Sequence, residues 1–156
     1  MSMEVFKKFP SSFSKVRSKG FQFAPLRIVF NLKVYLSRKA RPVIGGHIVD
    51  SSVHEFYASM MKPVSVRILM TTVAENNLEV MTGYKGNAYL NAETEEKIYS
   101  RAGADFDVVG LMPEGTLLEV VKLLYGLPTS GNMWHAHLSH TLKEMRFKPT
   151  RFDPDV

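Results

Sequence analysis

Three histidines near the end of the chain are the first residues whose type and spacing could do chemistry. His135, His137 and His140 fall within a predicted helix, and the last two are three residues apart, a spacing at which two helical histidines can bind a metal ion. The sequence places no matching acid or general base with them. The pattern therefore favours a solvated polar helix face over a metal site.

Glycine pairs are a second candidate, because glycine-rich loops can cradle phosphate groups. Gly83 and Gly86 are separated by two residues, and Gly45 and Gly46 are adjacent. Both pairs are too short for a dinucleotide-binding or P-loop fingerprint, and Lys122 follows no glycine-rich loop. Gly45-Gly46 instead indicates a bulge or a close approach of two backbones.

Three basic residues at the tip of a predicted hairpin could bind phosphate. Arg38, Lys39 and Arg41 supply the dense positive donors that a triphosphate or a backbone phosphate requires. A basic tip is equally typical of a solvated turn, and the residue pattern leaves both interpretations open. Tyr89 is similarly ambiguous, since it could pack against a sugar or a base, or lie in the core with its hydroxyl at the rim.

The hairpin that would position these cations consists of strands over residues 26–34 and 40–49, where branched and aromatic residues are frequent. Pro42 favours an edge position or a bulge for the second strand. Ser65 is predicted to cap a helix over residues 66–76. Leu78 and Val80 alternate with polar or flexible residues, which predicts a strand over residues 78–82 that ends at Gly83.

The second half of the chain predicts three more elements. Short strands are expected over residues 96–102 and 116–124, separated by a loop over residues 103–115. A helix over residues 131–145, capped by Thr129 or Ser130, carries an apolar stripe that places Trp134 in the core. The order β-β-α-β-β-β-α lacks regular βαβ alternation. It predicts an α+β fold with a mostly antiparallel sheet and two main helices.

Composition limits the function further. The chain has 156 residues, enough for one domain, and no cysteine, which excludes thiol nucleophiles and thiolate metal sites. Its formal net charge of +5 favours polyanion partners. Residues 1–20 contain Glu4 as their only acid and predict a flexible basic lead-in. No apolar run is long enough to span a bilayer.

An ordered set of motifs is more specific than any single one. The motifs are Arg38-Lys39-Ala40-Arg41 with Gly45-Gly46, Ser65-Val66-Arg67, Gly86-Asn87-Ala88-Tyr89-Leu90-Asn91-Ala92, Tyr125-Gly126-Leu127 with Trp134, and Asp153-Pro154. Together they resemble the reverse transcriptase domain of copia-type LTR retrotransposons. The resemblance implies that residues 21–156 form the fingers and part of the palm of an RNA-directed DNA polymerase domain.

The resemblance also implies roles for individual residues. Lys39 and Arg41 would contact the incoming triphosphate. Tyr89 matches the aromatic residue beneath the nucleotide sugar that disfavours a 2′-hydroxyl. Gly126, in the Tyr125-Gly126-Leu127 turn, belongs to the segment that supports the templating base pair. An RNA or DNA template–primer is the implied partner, a membrane is not, and an intracellular location in cytoplasm or nucleus is expected; no oligomeric state is indicated.

Two departures from the family pattern argue against catalysis. Active family members use Mg²⁺ held by aspartates, but Tyr84 occupies the position of the first catalytic aspartate and Lys85 adds a positive charge beside it. A phenol with a reference pKa of about 10 supplies no anionic oxygen for Mg²⁺. The family's paired aspartates follow the Asp153-Pro154 motif, and the sequence ends before them. We therefore expect no catalytic residue, metal site or cofactor in this chain.

The sequence thus predicts a truncated, degenerate fragment of a copia-type reverse transcriptase without polymerase activity. The alternative is a non-enzymatic nucleic-acid-binding module built on the basic fingers. A relic without function remains as a third interpretation. A small hydrolase or metal enzyme is disfavoured by the absence of cysteine and of partners for the histidines.

Overall fold

The structure is a computed structural model that describes residues 4–9, 19–50 and 56–155. Most of the predicted lead-in, Ser51 and Ser52 in the irregular segment, and Val156 lie outside the described residues. The strands are β1 (Phe6–Lys8), β2 (Gln22–Phe23), β3 (Leu26–Leu32), β4 (Arg38–Ile44), β5 (Ile98–Arg101) and β6 (Leu117–Val120). The α-helices are α1 (Pro63–Glu75), α2 (Ala104–Val108) and α3 (Ser130–Glu144), and single 3₁₀ turns lie at Gly46–Ile48 and Ala88–Asn91.

The strands form two sheets. One has four strands in the order β1-β6-β5-β2, in which β6 pairs antiparallel with β1 and β5, and β2 pairs parallel with β5. The other is the antiparallel hairpin β3–β4. The protein is therefore a mixture of helices and mostly antiparallel strands, compatible with the predicted α+β class. None of the described helices is long and apolar enough to cross a membrane.

Strand β1 lies inside the segment for which the sequence predicts a flexible lead-in. Phe6 pairs with Val120 and Lys8 with Leu118 in the ladder with β6. The Phe6 ring also packs edge-on against Phe106, with ring centroids 6.2 Å apart. A three-residue strand shows no clear period, and its partner lies more than a hundred residues away, so the local sequence does not reveal it.

The core lies between the four-stranded sheet, the base of the hairpin and helix α2. Phe106 is 1% exposed, and it anchors α2 within the segment predicted as a loop. Burying a phenylalanine stabilises a fold by about 1.5–3 kcal/mol, which is enough to hold a single helical turn in place. The other large apolar side chains that are fully buried among the described residues are Ile44, Ile98, Leu118, Leu123 and Leu124.

The hairpin forms as predicted, but its strands have other bounds: β3 ends at Leu32 instead of residue 34, and β4 covers Arg38–Ile44 instead of residues 40–49. The turn therefore lies at residues 33–37, before the predicted basic tip.

The register of the hairpin runs from the pair Leu26–Ile44 to the pair Leu32–Arg38. Pro42 lies opposite Ile28, whose N–H points away from β4 and donates to Asp105 Oδ2 at 2.6 Å. The nitrogen of Pro42 lies on the side of β4 that faces away from β3. Proline has no N–H, so no hydrogen-bond donor is left unpaired at this outer edge. The predicted edge position of Pro42 is therefore confirmed.

The predicted strand over residues 78–82 is wrong. These residues have no regular secondary structure and are exposed, with Leu78 at 56% and Met81 at 97%. Alternating apolar residues form a strand only where a neighbouring strand accepts their backbone hydrogen bonds. No strand in the described part of the chain pairs with this segment.

Ser65 does not cap α1 as predicted, and Thr129 is the N-cap residue of α3 as predicted but makes no side-chain capping hydrogen bond. Helix α1 starts after Lys62 with Pro63 in its first turn, and the Ser65 hydroxyl donates to a distant carboxylate instead. At the start of α3, Thr129 donates to Glu96 Oε1 and Ser130 donates to the Leu124 carbonyl. These side chains therefore stabilise tertiary contacts, which outweigh the local preference for capping.

Trp134 does not lie in the core as predicted. It is only partly buried, and its ring tilts against His137 with centroids 5.6 Å apart. Leu138 and Leu142, further along the apolar stripe of α3, are each 38% exposed. The 3.6-residue period correctly predicts the helix, but the described residues only partly cover its apolar side.

Candidate nucleic-acid interface

Two of the three basic residues considered for phosphate binding, Lys39 and Arg41, lie along one face of the hairpin, within β4 and not at its predicted tip. Arg38 occupies an alternate position of the strand and belongs to the other face. Side chains alternate along β4, so Lys39, Arg41 and Val43 share a face, and Lys39 and Arg41 are roughly 7 Å apart along the strand. Arg27 lies opposite Val43 and joins the same face from β3. None of the ion pairs among the described residues involves a hairpin residue. This face therefore presents cations that no described acid neutralises.

The pKa of Lys39 reflects its partial burial and its cationic neighbours. Partial burial, followed by the positive charges of Arg41 and Lys33, lowers the pKa of Lys39 below its ordinary value. Each of these causes disfavours the charged ammonium. A bound polyanion would act in the opposite direction and favour the charged ammonium. The face is thus electrostatically suited to an anionic ligand.

Arg41 is the link between the hairpin and the rest of the predicted site. Its guanidinium carbon lies 5.4 Å from the centroid of the Tyr125 ring, within the range of a cation–π contact. The Tyr125 ring packs in turn on Tyr89, with centroids 4.9 Å apart and planes at 56°. Arg41 and Tyr89, which are far apart in sequence, therefore lie close to one another through Tyr125.

Gly126 allows the junction between the hairpin and the turn before α3. It has φ +99°, and a Cβ at this position would collide with the Ile44 carbonyl oxygen. Next to it, the Ile44 N–H donates to the Tyr125 carbonyl at 2.9 Å. A Cβ on Gly46 would collide with the Gly126 carbonyl in the same way. Two backbones thus meet here without space for a side chain, as the Gly45-Gly46 pair predicts.

A cleft of about 400 Å³ opens at the base of this face. Its apolar wall includes Leu26 and Val43, and Arg27 and His47 provide polar groups. Gly126 also lines it, so the cleft is continuous with the junction described above. The face therefore combines cations, aromatic rings and a recess, the three features that nucleic-acid-binding surfaces commonly use.

Tyr84 lies apart from this cluster of contacts. Its side chain is 90% exposed, on the irregular segment before the turn at Ala88–Asn91. Lys85 follows it, and Glu79 is exposed five residues earlier. No group of three or more histidines, cysteines, aspartates or glutamates in the described part of the chain is placed to hold a metal ion. An exposed phenol beside an ammonium supplies no anionic oxygen, so Tyr84 and Lys85 do not fit a Mg²⁺ ion.

His135 has acidic and hydroxyl partners that the sequence did not reveal. Its Nε2 lies 2.5 Å from Asp155 Oδ1 and 3.4 Å from the Ser59 hydroxyl, and Ser59 also donates to Asp155 at 3.0 Å. Hydrolytic triads use opposite ring nitrogens for the acid and the nucleophile, whereas here one nitrogen faces both. The cluster therefore lacks the geometry of a serine hydrolase.

The same region holds helix α1 in place. Asp153 is 2% exposed, and its Oδ2 accepts the Lys62 N–H at 3.0 Å and the Ser65 hydroxyl at 2.5 Å. A carboxylate at the start of a helix also interacts favourably with the helix dipole. No residue of α1 is buried against the described part of the chain, so these hydrogen bonds are its principal attachment.

These two carboxyls make the fold sensitive to acid. The Ser65 hydroxyl and the Lys62 N–H lower the pKa of Asp153, and His135 and Ser59 lower that of Asp155. A carboxyl with a lowered folded-state pKa stabilises the fold above its unfolded value of about 3.9. That contribution is lost as the pH falls through the folded-state pKa.

Asp153→Asn is expected to lower the free energy of unfolding at pH 7 and to flatten its decline below about pH 4, because the amide does not titrate. Urea denaturation at neutral and acidic pH measures both effects. Asp107→Asn, at an exposed position on α2, is the matched control. Equal acid dependence of the Asp153 variant and the wild-type protein would contradict the assignment.

The motifs select the candidate interface residues but do not show which of them meet. Arg41 and Tyr89 both contact the ring of Tyr125, which the sequence placed in a turn without a role of its own, and Gly126 follows Tyr125 in that turn. Lys39 lies farther along the same hairpin face. No local pattern indicates that Tyr125 meets both Arg41 and Tyr89. Asp153 was likewise visible only as part of a motif.

Comparison with known proteins is consistent with these observations. The sequence matches the family described as reverse transcriptase (RNA-dependent DNA polymerase) over residues 15–154. It is similar to the retrovirus-related Pol polyprotein from transposon TNT 1-94 of Nicotiana tabacum, at 28% identity over 120 residues. The similarity covers 76% of this chain and 9% of that polyprotein. No solved structure matches the chain.

Proposed function

Because the chain belongs to the reverse transcriptase (RNA-dependent DNA polymerase) family, we propose that its hairpin binds a template–primer and that its metal-dependent polymerase step has been lost. The predicted resemblance to a copia-type reverse transcriptase is confirmed by the family match and the transposon polyprotein. The chain spans less than a tenth of that polyprotein, so activity and partners are proposed for this chain on its own residues.

The hairpin β3–β4 is assigned to the fingers, and the four-stranded sheet with α3 is assigned to part of the palm. The assignment is supported by the long antiparallel hairpin and by its contact with the Tyr125–Gly126 turn. In this arrangement Lys39 and Arg41 face phosphate groups, and Tyr89 lies beside them near a sugar. Gly126 supports the base pair at the bottom of the cleft.

The contact of both Arg41 and Tyr89 with Tyr125 is the observation that carries the binding function. Residues separated by more than eighty positions in sequence form one surface that contains a guanidinium, two phenol rings in tilted contact and a recess. Arginine guanidinium groups bind phosphate oxygens with two parallel hydrogen bonds. Aromatic rings provide stacking surfaces for bases or sugars.

The loss of the polymerase step follows from Tyr84. Two-metal phosphoryl transfer requires carboxylates that hold both ions around the reacting phosphate. At the first of these positions the chain has an exposed phenol, followed by the ammonium of Lys85. A phenol is neutral at physiological pH, and an adjacent cation further disfavours Mg²⁺. No step through a metal ion is therefore assigned to this chain.

A binding titration tests the retained function. The full chain should bind a fluorescently labelled DNA template–primer, and the logarithm of the association constant should fall with the logarithm of salt concentration with a slope of about −2 or steeper. The expected slope follows from about 0.9 per neutralised phosphate for Lys39 and Arg41. Absence of binding at about 0.05 M salt would reject the function and favour a relic without activity.

A further inference from the structure

We propose that Tyr125 is a positioning residue that holds both Arg41 and Tyr89 in place for nucleic-acid binding, an inference that rests on the function proposed above. Its ring is the shared neighbour of the two groups. The Arg41 guanidinium carbon lies 5.4 Å from the ring centroid, and the Tyr89 ring centroid lies 4.9 Å away. A change in the Tyr125 ring therefore alters both contacts together.

The backbone fixes where this ring lies. The Tyr125 carbonyl accepts the Ile44 N–H at 2.9 Å, and Tyr125 forms a parallel bridge with Val43. Gly126 follows at φ +99°, pressed against the Ile44 carbonyl. Because the hydrogen bond from Ile44 and the bridge to Val43 both attach Tyr125 to β4, its position is fixed relative to the strand that carries Arg41. The hairpin and the turn before α3 thus act as one unit at this point.

Arg41 depends on the ring for its orientation. Its Nε is buried and has no hydrogen-bond partner among the described residues. None of the ion pairs in the described part of the chain includes it. An arginine normally acquires a fixed direction from such partners, since its side chain has several rotatable bonds. The cation–π contact with Tyr125 supplies that restraint. It leaves the two terminal amino groups of the guanidinium to bind phosphate oxygens.

Tyr89 receives a different kind of support. Its backbone lies in the 3₁₀ turn Ala88–Asn91, where the amide of the Asn91 side chain donates to the Asn87 carbonyl at 2.9 Å. This turn fixes the backbone, and the Tyr125 ring is the aromatic surface against which the Tyr89 side chain packs. Offset and tilted aromatic pairs are favourable beyond their buried area. Loss of the Tyr125 ring would therefore release Tyr89 as well.

Variants of Tyr125 in the full-length chain separate the ring from the rest of the fold. Tyr125→Phe keeps the ring and removes the hydroxyl, whereas Tyr125→Leu removes the aromatic face and keeps an apolar side chain. Tyr57→Leu, at a tyrosine that is 78% exposed, is the matched control. Each variant is titrated with the labelled DNA template–primer over a salt series, and circular dichroism monitors folding.

Tyr125→Leu is expected to weaken binding about 5- to 10-fold at low salt and to reduce the salt slope by about 0.9, the value of one phosphate contact. Tyr125→Phe should keep the affinity within about twofold of wild type and leave the salt slope unchanged, because the cation–π contact requires only the ring. In an Arg41→Gln background, Tyr125→Leu should no longer change the slope, since the two residues act as a unit.

Nuclear magnetic resonance gives a readout that needs no destabilising variant. The side-chain protons of Arg41 should be shifted upfield by the ring current of Tyr125 in the wild-type protein and in Tyr125→Phe, relative to those of the exposed Arg38. Unshifted Arg41 protons would overturn the inference, and so would an unchanged salt slope in a folded Tyr125→Leu protein. Absence of binding by the wild-type protein would instead reject the proposed function, while the ring-current result would still decide whether Tyr125 positions Arg41.

Discussion

Gly126→Ala is expected to destabilise the protein by about 2–5 kcal/mol, a large fraction of the stability of a typical domain. The residue has φ +99°, which L side chains rarely adopt, and its added Cβ would meet the Ile44 carbonyl oxygen. The backbones of Ile44 and Gly126 cannot easily move apart, because Ile44 is fully buried and its N–H donates to the Tyr125 carbonyl. The hairpin would have to separate from the turn before α3 to accommodate one methyl group.

Urea denaturation followed by circular dichroism measures this loss as a lower midpoint at unchanged denaturant dependence. Gly83→Ala is the matched control, because no atom lies within 4 Å of its added Cβ. That variant should remain within about 0.5 kcal/mol of wild type. If the Gly126 variant were as stable as the Gly83 variant, the close backbone contact would be contradicted.

Neutralising Lys39 and Arg41 together should weaken template–primer binding on the order of 100-fold at about 0.05 M salt. Each lost phosphate contact removes about 0.9 from the salt slope, so the slope of the Lys39→Gln, Arg41→Gln variant should be shallower by about 1.8. Replacing Lys39 should cost little stability, because the burial and neighbouring cations that lower its pKa disfavour its charge in the folded chain. Replacing Arg41 removes one cation–π contact, which costs about 0.5–1 kcal/mol.

The control for this variant is an equal change of charge elsewhere. Lys143 and Lys148 line a separate cleft of about 380 Å³ beside the C-terminal end of α3. Lys143 lies roughly 20 Å along that helix from its first residue, which follows the Tyr125–Gly126 turn. Lys143→Gln with Lys148→Gln should leave most of the slope intact. An equal loss in both double variants would indicate binding by net charge alone.

The hairpin was predictable because its signals are local. Branched and aromatic residues and Pro42 lie within about twenty residues of each other, and the structure contains both strands with Pro42 on the outer edge. The predicted polar turn is displaced, because the chain turns at residues 33–37 and Arg38 already belongs to β4. Helix α3 was predictable for the same reason, from its 3.6-residue period. Such elements are predictable from the local sequence, because the side chains that define them are close together in the chain.

The remaining elements depend on partners far away in the chain. Strand β1 exists through its pairing with β6, and α1 begins where Asp153, 88 positions beyond Ser65, accepts its hydrogen bonds. The strand predicted at residues 78–82 fails because no described strand pairs with it. Local periodicity indicates which face of a strand or helix could be buried, and contacts with distant segments decide whether the element forms.

The site shows the same division. Family motifs assign Lys39, Arg41, Tyr89 and Gly126 to the nucleotide, and the structure places Arg41 and Tyr89 against the Tyr125 ring, while the roles of all four in binding stay predictions. The motif itself identified neither Tyr125 as the common contact nor Asp153 as the attachment of α1. The assignment of Tyr84 to the position of a catalytic aspartate stays a prediction from the motif, and the structure adds that this residue is exposed.

The central claim is that the chain binds a template–primer and does not extend it. A primer-extension assay on the 156-residue chain, with saturating protein, all four deoxynucleotides and either Mg²⁺ or Mn²⁺, tests it most directly. We predict that the primer is bound, as judged by anisotropy in the same sample, and remains at its original length. Tyr84→Asp should give the same result, since one carboxylate does not make a two-metal site. Template-dependent extension of the primer by the wild-type chain would contradict the account.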